Sequence, residues 1–169
     1  MNKKKNKVFK KIAFLDRDGV IDKKPKEHQY VTSIHNFFFN KGIFKMLKNL
    51  KEHEFEFIII TNQRGIASDI FSEEDLEKIH QYMIKIFKEN QIDILDIFYC
   101  PHQIGTCNCR KPKPGLLIEA THKYKINLKD SILISDSLED IEMGETFGIG
   151  RNFLVKTDNP NILLQNRFN

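Results

Sequence analysis

The chain has 169 residues, of which 40% are apolar, 30% charged and 11% aromatic, enough for one sizeable core and too little chain for a second full domain. Its densest apolar runs, 12–15 and 57–60, are strand-length and far short of the roughly 20 residues of a membrane span. The formal charge of +4 sits at the start, where residues 1–11 carry six lysines and no acid, so the remaining 21 basic and 23 acidic groups make a nearly neutral body that argues against a nucleic-acid partner.

Taken in order, residues 1–11 are a lysine-rich, solvated lead-in to a single domain, 12–169. A β-branched and aromatic run, 8–15, reads as a strand that stops at Asp16-Arg17-Asp18-Gly19. Ile43, Met46, Leu47 and Leu50 recur at helical spacing, and 55–60 follows as a buried strand ending in Thr61-Asn62-Gln63-Arg64-Gly65. Ser72 with Asp75 forms a capping box for a helix whose apolar face is Leu76, Ile79, Met83, Ile86 and Phe87. Residues 94–99 read as a strand, 116–124 as a helix, 131–134 as a strand, 138–147 as a helix and 149–155 as a last strand. This alternation predicts an α/β fold: a Rossmann-like parallel sheet with helices on both faces, joined by right-handed crossovers. No signal peptide stands near the start, and a cytoplasmic, reducing location and a monomer are expected.

In such a sheet, ligands bind beyond the carboxyl ends of the strands. Asp16 with Asp18, Thr61 with Asn62, a cysteine-rich loop, and Asp136 with Asp140 all fall at those ends, so four clusters distant in sequence meet in one crevice. Close carboxylates repel unless a cation lies between them, and an oxygen-only cluster suits Mg²⁺ better than Zn²⁺. A site of that kind attracts phosphate: one aspartate attacks phosphorus, the other serves as acid and base, and a lysine offsets charge on the transferring group.

All three cysteines lie within ten residues, and Cys100, His102, Cys107 and Cys109 supply four soft or borderline ligands with no open position, the signature of structural Zn²⁺ in a loop spanning 100–109. Immediately after it stand Arg110 and Lys111, two cations whose orientation the metal fixes toward phosphate.

Phe14-Leu15-Asp16-Arg17-Asp18-Gly19-Val20-Ile21 resembles the first motif of the haloacid-dehalogenase-like phosphatases. Thr61-Asn62-Gln63 is similar to their second motif, and Ser135-Asp136-Ser137 with Asp140 to their acidic fourth. The resemblance implies that Asp16 is a nucleophile forming an aspartyl-phosphate and that Asp18 protonates the leaving oxygen and then activates water. It also implies that Mg²⁺ is held by Asp16, the Asp18 carbonyl and Asp136, with Asp140 behind them. Within that superfamily, Tyr99-Cys100-Pro101-His102 and Arg110-Lys111-Pro112-Lys113-Pro114-Gly115 resemble the D-glycero-D-manno-heptose 1,7-bisphosphate phosphatases and, more distantly, the histidinol-phosphate phosphatases. That likeness implies removal of the C7 phosphate of a heptose bisphosphate, with Lys111 as the third-motif lysine. Thr61, Asn62, Gln63, Arg64, Arg110 and a loop of Glu27, His28, Gln29 and Tyr30 would contact the small-molecule sugar bisphosphate.

Three positions depart from the heptose pattern. Ser137 stands where that group often has lysine, only four residues separate His102 from Cys107, and extra residues surround 23–26. The 42 positions between Asp18 and Thr61 are used by a loop and a helix, so no separate cap domain fits. A non-enzymatic zinc module whose lysine-rich start binds nucleic acid is the rival of another class, and Asp16, Asp18 and Asp136 speak against it.

Overall fold

The computed structural model describes residues 9–26 and 29–155. Glu27 and His28 of the expected substrate loop, Val8 and the earlier lead-in, and 156–169 lie outside the described residues. Within them the order is β1 (Ile12–Leu15), α1 (Ile43–Glu52), β2 (Glu56–Asn62), α2 (Glu73–Glu89), β3 (Ile94–Cys100), α3 (Gly115–Lys123), β4 (Ile132–Ser135), α4 (Leu138–Phe147) and β5 (Arg151–Leu154). Short 3₁₀ turns at Ile34–Asn36 and Leu128–Asp130 were not expected from the sequence.

All strand pairs are parallel, in the spatial order β3-β2-β1-β4-β5. The chain starts in the centre, builds one side, then returns to build the other, so the crossover direction reverses between β1 and β4. That switch point is where an open α/β sheet leaves a crevice. Side chains alternate along each strand and feed two cores. Ala13 and Leu15 of β1 with Phe57 and Ile59 of β2 pack on Met46, Leu47 and Leu50 of α1 and Ile79, Met83 and Phe87 of α2. Ile12, Phe14, Ile58 and Ile60 face the opposite way, against Leu116, Leu117 and Ala120 of α3 and Met143 of α4. Each fully buried side chain of this kind contributes about 1.5–3 kcal/mol, and with both faces covered the strands read as continuous apolar runs.

The capping box forms as expected: the Asp75 N–H donates to Ser72 Oγ at 3.1 Å and the Ser72 N–H to Asp75 Oδ2 at 3.0 Å. β1 is shorter than the run 8–15, because its ladder with β2 begins at Ile12 and Lys10 only bridges to Ile126. The lead-in boundary is likewise corrected. Lys10 Nζ bonds both Glu56 carboxylate oxygens at 2.8 Å, and Lys11 Nζ donates to the His53 carbonyl at 2.8 Å and lies 4.2 Å from the Phe55 ring centre. Both lysines belong to the folded domain, since each has a carboxylate, carbonyl or ring face to meet. Between β1 and α1 the described residues form a loop with one 3₁₀ turn and no added sheet, so no cap domain is inserted there among the described residues.

Candidate active site

Past β1 the chain closes a tight turn in which the Arg17 carbonyl accepts from the N–H groups of Val20, Ile21 and Asp22 at 3.2, 2.8 and 3.2 Å. Gly19 sits in it with φ +92°, and a Cβ there would collide with the Asp136 carboxylate. The missing side chain is therefore what lets the segment after β4 approach the first-motif loop. Asp16 is anchored at the switch point, its N–H donating to the Ile134 carbonyl at 3.0 Å.

Asp16 is buried, 8% exposed as a residue. Its Oδ1 lies 3.0 Å from Lys111 Nζ and accepts from the Arg17 N–H at 2.8 Å, while Oδ2 accepts from Ser135 Oγ at 3.3 Å. Lys111 Nζ also donates to Asp140 Oδ2 at 2.6 Å, an oxygen that accepts from Ser135 Oγ at 2.8 Å. Burial raises the Asp16 pKa to about 6, Lys111 pulling it down and the Asp140 and Asp18 charges pushing it up. Near neutral pH Asp16 is thus mostly a carboxylate, and a weakly solvated one. For Lys111, burial opposes the charge, but Asp16 and Asp140 outweigh it and raise the pKa, so the lysine remains an ammonium.

Asp18 is gripped at both oxygens. Arg17 Nη2 donates to Oδ1 at 2.8 Å, and Gln63 Nε2 donates to Oδ2 at 2.9 Å, with Thr61 Oγ1 3.5 Å from the same oxygen. Behind it, Arg17 and Asp22 are both fully buried, with Nε and Oδ2 separated by 3.9 Å. Burial works against the guanidinium charge, but Asp18 and Asp22 outweigh it; burial pushes the Asp22 carboxyl well above the usual range, with Arg17 opposing. Asn62 braces the lysine loop, its Nδ2 donating to the Lys111 carbonyl and its Oδ1 accepting the Lys111 N–H, each at 3.0 Å. The Asn62 and Gln63 side chains, expected to contact substrate directly, are thus committed within the protein, because buried backbone and guanidinium groups there need partners. Arg64 meets the first loop, with Nε and Nη2 lying 3.2 and 3.0 Å from the Tyr30 hydroxyl, whereas Gln29 is exposed. From that loop Lys24 Nζ reaches Asp136 Oδ2 at 2.6 Å. Arg110 Nη1 is buried and has no hydrogen-bond partner among the described residues.

Cys100, His102, Cys107 and Cys109 offer ligand atoms that all lie within 4.8 Å of one another. Burial opposes ionisation of Cys107, but backbone N–H groups, that of Arg110 first, and the neighbouring thiols hold its pKa at about 7. Burial and the neighbouring thiols instead push the Cys109 pKa up to about 12, and burial raises that of Cys100. Three thiols and an imidazole converging on one point make the donor set of a closed tetrahedral zinc site. The loop also packs on α3, since a Cβ at Gly115 would collide with the Asn108 carbonyl and the Cys109 backbone. With Cys109 two residues before Lys111, and Asn62 clamping Lys111 itself, the loop sets where the lysine stands. For magnesium, the fit rests on Asp16 and Asp136 at the switch point, the space left by Gly19, and the Lys24 ammonium lying on Asp136 as a cation of this chain's own.

The polynucleotide kinase 3 phosphatase family profile matches residues 11–146. The D-glycero-alpha-D-manno-heptose-1,7-bisphosphate 7-phosphatase of Photorhabdus laumondii is 44% identical over 163 residues, 92% of this chain and 86% of that one. The chain belongs to the heptose-1,7-bisphosphate 7-phosphatase family. A beta-anomer 7-phosphatase of Vibrio cholerae is 38% identical over 90% of this chain and 85% of its own. The crystal structure of D,D-heptose 1,7-bisphosphate phosphatase from B. bronchiseptica, complexed with magnesium and phosphate, superposes with a TM-score of 0.80 at 28% identity, covering 94% and 87% of the two chains. The haloacid-dehalogenase-like fold therefore holds for this family member. Sequence reasoning missed Asp22 and His80 and passed over Arg17 as the spacer between two aspartates, and Lys24 stands out there only as one of the extra residues 23–26; His80, four residues after Leu76 and three before Met83, lies on the apolar face that the helical period marks. No helix of the described residues is long and apolar enough to cross a membrane.

Proposed function

We propose that this chain hydrolyses the C7 phosphate ester of a D-glycero-D-manno-heptose 1,7-bisphosphate through an aspartyl-phosphate on Asp16. The observation that carries the reading is the Asp16 carboxylate held between Lys111 and Ser135, beside an Asp18 carboxylate gripped at both oxygens. Asp16 attacks phosphorus as its P–O ester bond breaks, and Asp18 delivers a proton to the departing sugar oxygen. Water then attacks the aspartyl-phosphate, Asp18 takes its proton, and the bond from phosphorus to Asp16 breaks. Lys111 stabilises charge on the transferring group and Asp140 holds Lys111 in place. Asp16, the Asp18 carbonyl and Asp136 would hold Mg²⁺, which supplies charge neutralisation at phosphate when bound. Cys100, His102, Cys107 and Cys109 would hold a structural Zn²⁺. Arg110, whose Nη1 has no hydrogen-bond partner among the described residues, and Arg64 with Tyr30 line up as contacts for the sugar's remaining phosphate and hydroxyls, together with Thr61, Gln29, Glu27 and His28.

The test is phosphate release with Mg²⁺ from both heptose bisphosphate anomers, histidinol phosphate and a 3′-phosphorylated oligonucleotide. The expected result is a preference of at least about 100-fold in kcat/KM for a heptose bisphosphate, a difference of roughly 3 kcal/mol. Preference for histidinol phosphate or the oligonucleotide would overturn the substrate assignment. Asp16→Asn is expected to abolish turnover with the fold retained, and a fully active variant would rule out the covalent route.

A further inference from the structure

A buried arginine between two reacting aspartates has no route to the substrate. Arg17 is fully buried, and so is Asp22 beneath it. Its backbone, through three N–H groups on its carbonyl, is the fulcrum of the turn that carries Asp18 and Gly19. Of the guanidinium nitrogens, Nη2 alone has hydrogen-bond partners among the described residues, Asp18 Oδ1 at 2.8 Å and Gln63 Oε1 at 3.3 Å, while Nε and Nη1 have none. Gln63 in turn donates to Asp18 Oδ2 at 2.9 Å, so arginine and glutamine close a ring around one carboxylate. A guanidinium is costly to bury, and this one is kept opposite two carboxylates, Asp18 at hydrogen-bond distance and Asp22 with its Oδ2 3.9 Å from Nε.

We propose that Arg17 is a positioning residue for this reaction: anchored over Asp22, its buried Nη2 holds the Asp18 carboxylate in the orientation needed to pass a proton to the leaving oxygen and to take one from water. The inference rests on the acid–base reading of Asp18 given above. It assigns Arg17 no contact with phosphate, in contrast to Lys111, which reaches Asp16 directly. Loss of the grip lets Asp18 rotate away while Asp16, Lys111 and the substrate pocket are kept, so kcat falls and KM does not rise.

The experiment is stopped-flow hydrolysis of p-nitrophenyl phosphate with Mg²⁺ by wild type, Arg17→Met, Arg17→Lys and Asp18→Asn. Nitrophenolate leaves without protonation, whereas attack of water on the aspartyl-phosphate still needs Asp18. In Arg17→Met, kcat for this substrate is expected to fall about 10- to 100-fold, part of the 10²–10⁴ that acid–base catalysis supplies, and KM to fall with it, so that kcat/KM, which reports phosphorylation of Asp16, stays within about twofold. The ratio of burst rate to turnover should rise at least about tenfold over wild type, as in Asp18→Asn, because only the second step is slowed. A merely structural role lowers burst and turnover together, in proportion to the folded fraction, and that result would overturn the proposal. Arg17→Lys keeps the buried charge but not the fork, and should show the same raised ratio in milder form; if the methionine variant does not fold, the presence or absence of that rise decides. If Asp18→Asn itself shows no raised ratio, it is the acid–base reading of Asp18 that fails.

Discussion

Replacing His80 with leucine should make the fold less sensitive to acid. His80 lies on the buried face of α2 at 4% exposure, and its Nε2 has no hydrogen-bond partner among the described residues. Burial first, and the Arg17 guanidinium second, lower its pKa from 6.5 to about 3, with Asp18 offsetting only part. The unfolded chain takes up this proton near pH 6.5, while the folded chain resists until about pH 3. Protons are therefore bound preferentially by the unfolded state in that window, and stability falls as pH falls, by about 1.4 kcal/mol per unit. From pH 7.5 to pH 5 the loss assigned to His80 is about 2 kcal/mol, and it approaches about 5 kcal/mol near pH 3. Leucine cannot take the proton and leaves no unpaired nitrogen. Its loss of the ring contact with Tyr99, at 6.0 Å between centroids, is independent of pH over this range and cancels in the comparison. Urea unfolding of both proteins at pH 7.5, 6 and 5 measures the effect as a difference of differences, in which the other titrating groups drop out. A gap between wild type and variant that changes by less than about 0.5 kcal/mol over this range would refute the reasoning, because a shift of this size in a buried imidazole must appear as that slope.

Lys24 competes with any cation for Asp136, and an exposed pair of this kind is worth at most about 1 kcal/mol, so Lys24→Ala is expected to lower the Mg²⁺ dissociation constant by up to about fivefold. Calorimetric titration of Mg²⁺ into wild type and variant checks this, and weaker binding in the variant would contradict it. Gly19→Ala places a Cβ against the Asp136 carboxylate at a positive φ, for which a loss of about 1–3 kcal/mol in stability and weaker Mg²⁺ binding are expected. Thermal melts and the same titration test it, and a variant matching wild type in both would show that the close approach is not required. Stripping zinc should lower Tm by about 6–12 °C, for a loss of roughly 3 kcal/mol. It should also reduce activity, since Lys111 follows the loop by two residues; unchanged Tm and activity after verified metal removal would show that the cluster does not organise the loop.

Local chemistry was legible where neighbours in sequence are neighbours in space. α4 runs over the 138–147 expected, and the Ser72–Asp75 cap forms as read, because both depend on bonds within a few residues. The four zinc-type ligands converge for the same reason, all within ten residues of chain. Strand edges were less legible. β5 covers Arg151–Leu154 rather than 149–155, since the Gly150 N–H turns to the Leu128 carbonyl instead of a sheet partner. The 3₁₀ turn at Ile34–Asn36 is held by Asn36 Oδ1 accepting the Ser33 N–H, a side-chain bond with no hydrophobic period to announce it.

From the sequence alone came the alternation of strands and helices, the placement of Asp16, Asp18 and Asp136 past strand ends, and the metal-type spacing of the cysteine loop. Each of these is a property of short segments, set by period, turn residues and ligand spacing. Thr61 and Asn62, expected beyond their strand, are instead the last two residues of β2, paired with Tyr99 and Cys100, and Asp140 lies in the first turn of α4. Only the tertiary structure decided which group serves which. Ser135 reaches Asp16 across 119 positions, Asn62 clamps Lys111 across 49, and Lys111 meets Asp140 across 29. It also decided that Arg17 faces inward to Asp22 and Asp18 rather than outward to phosphate. Such pairings depend on how sheet register and two packed faces bring distant strand ends together, and in that buried crevice a charge is stable only opposite the partner the fold supplies.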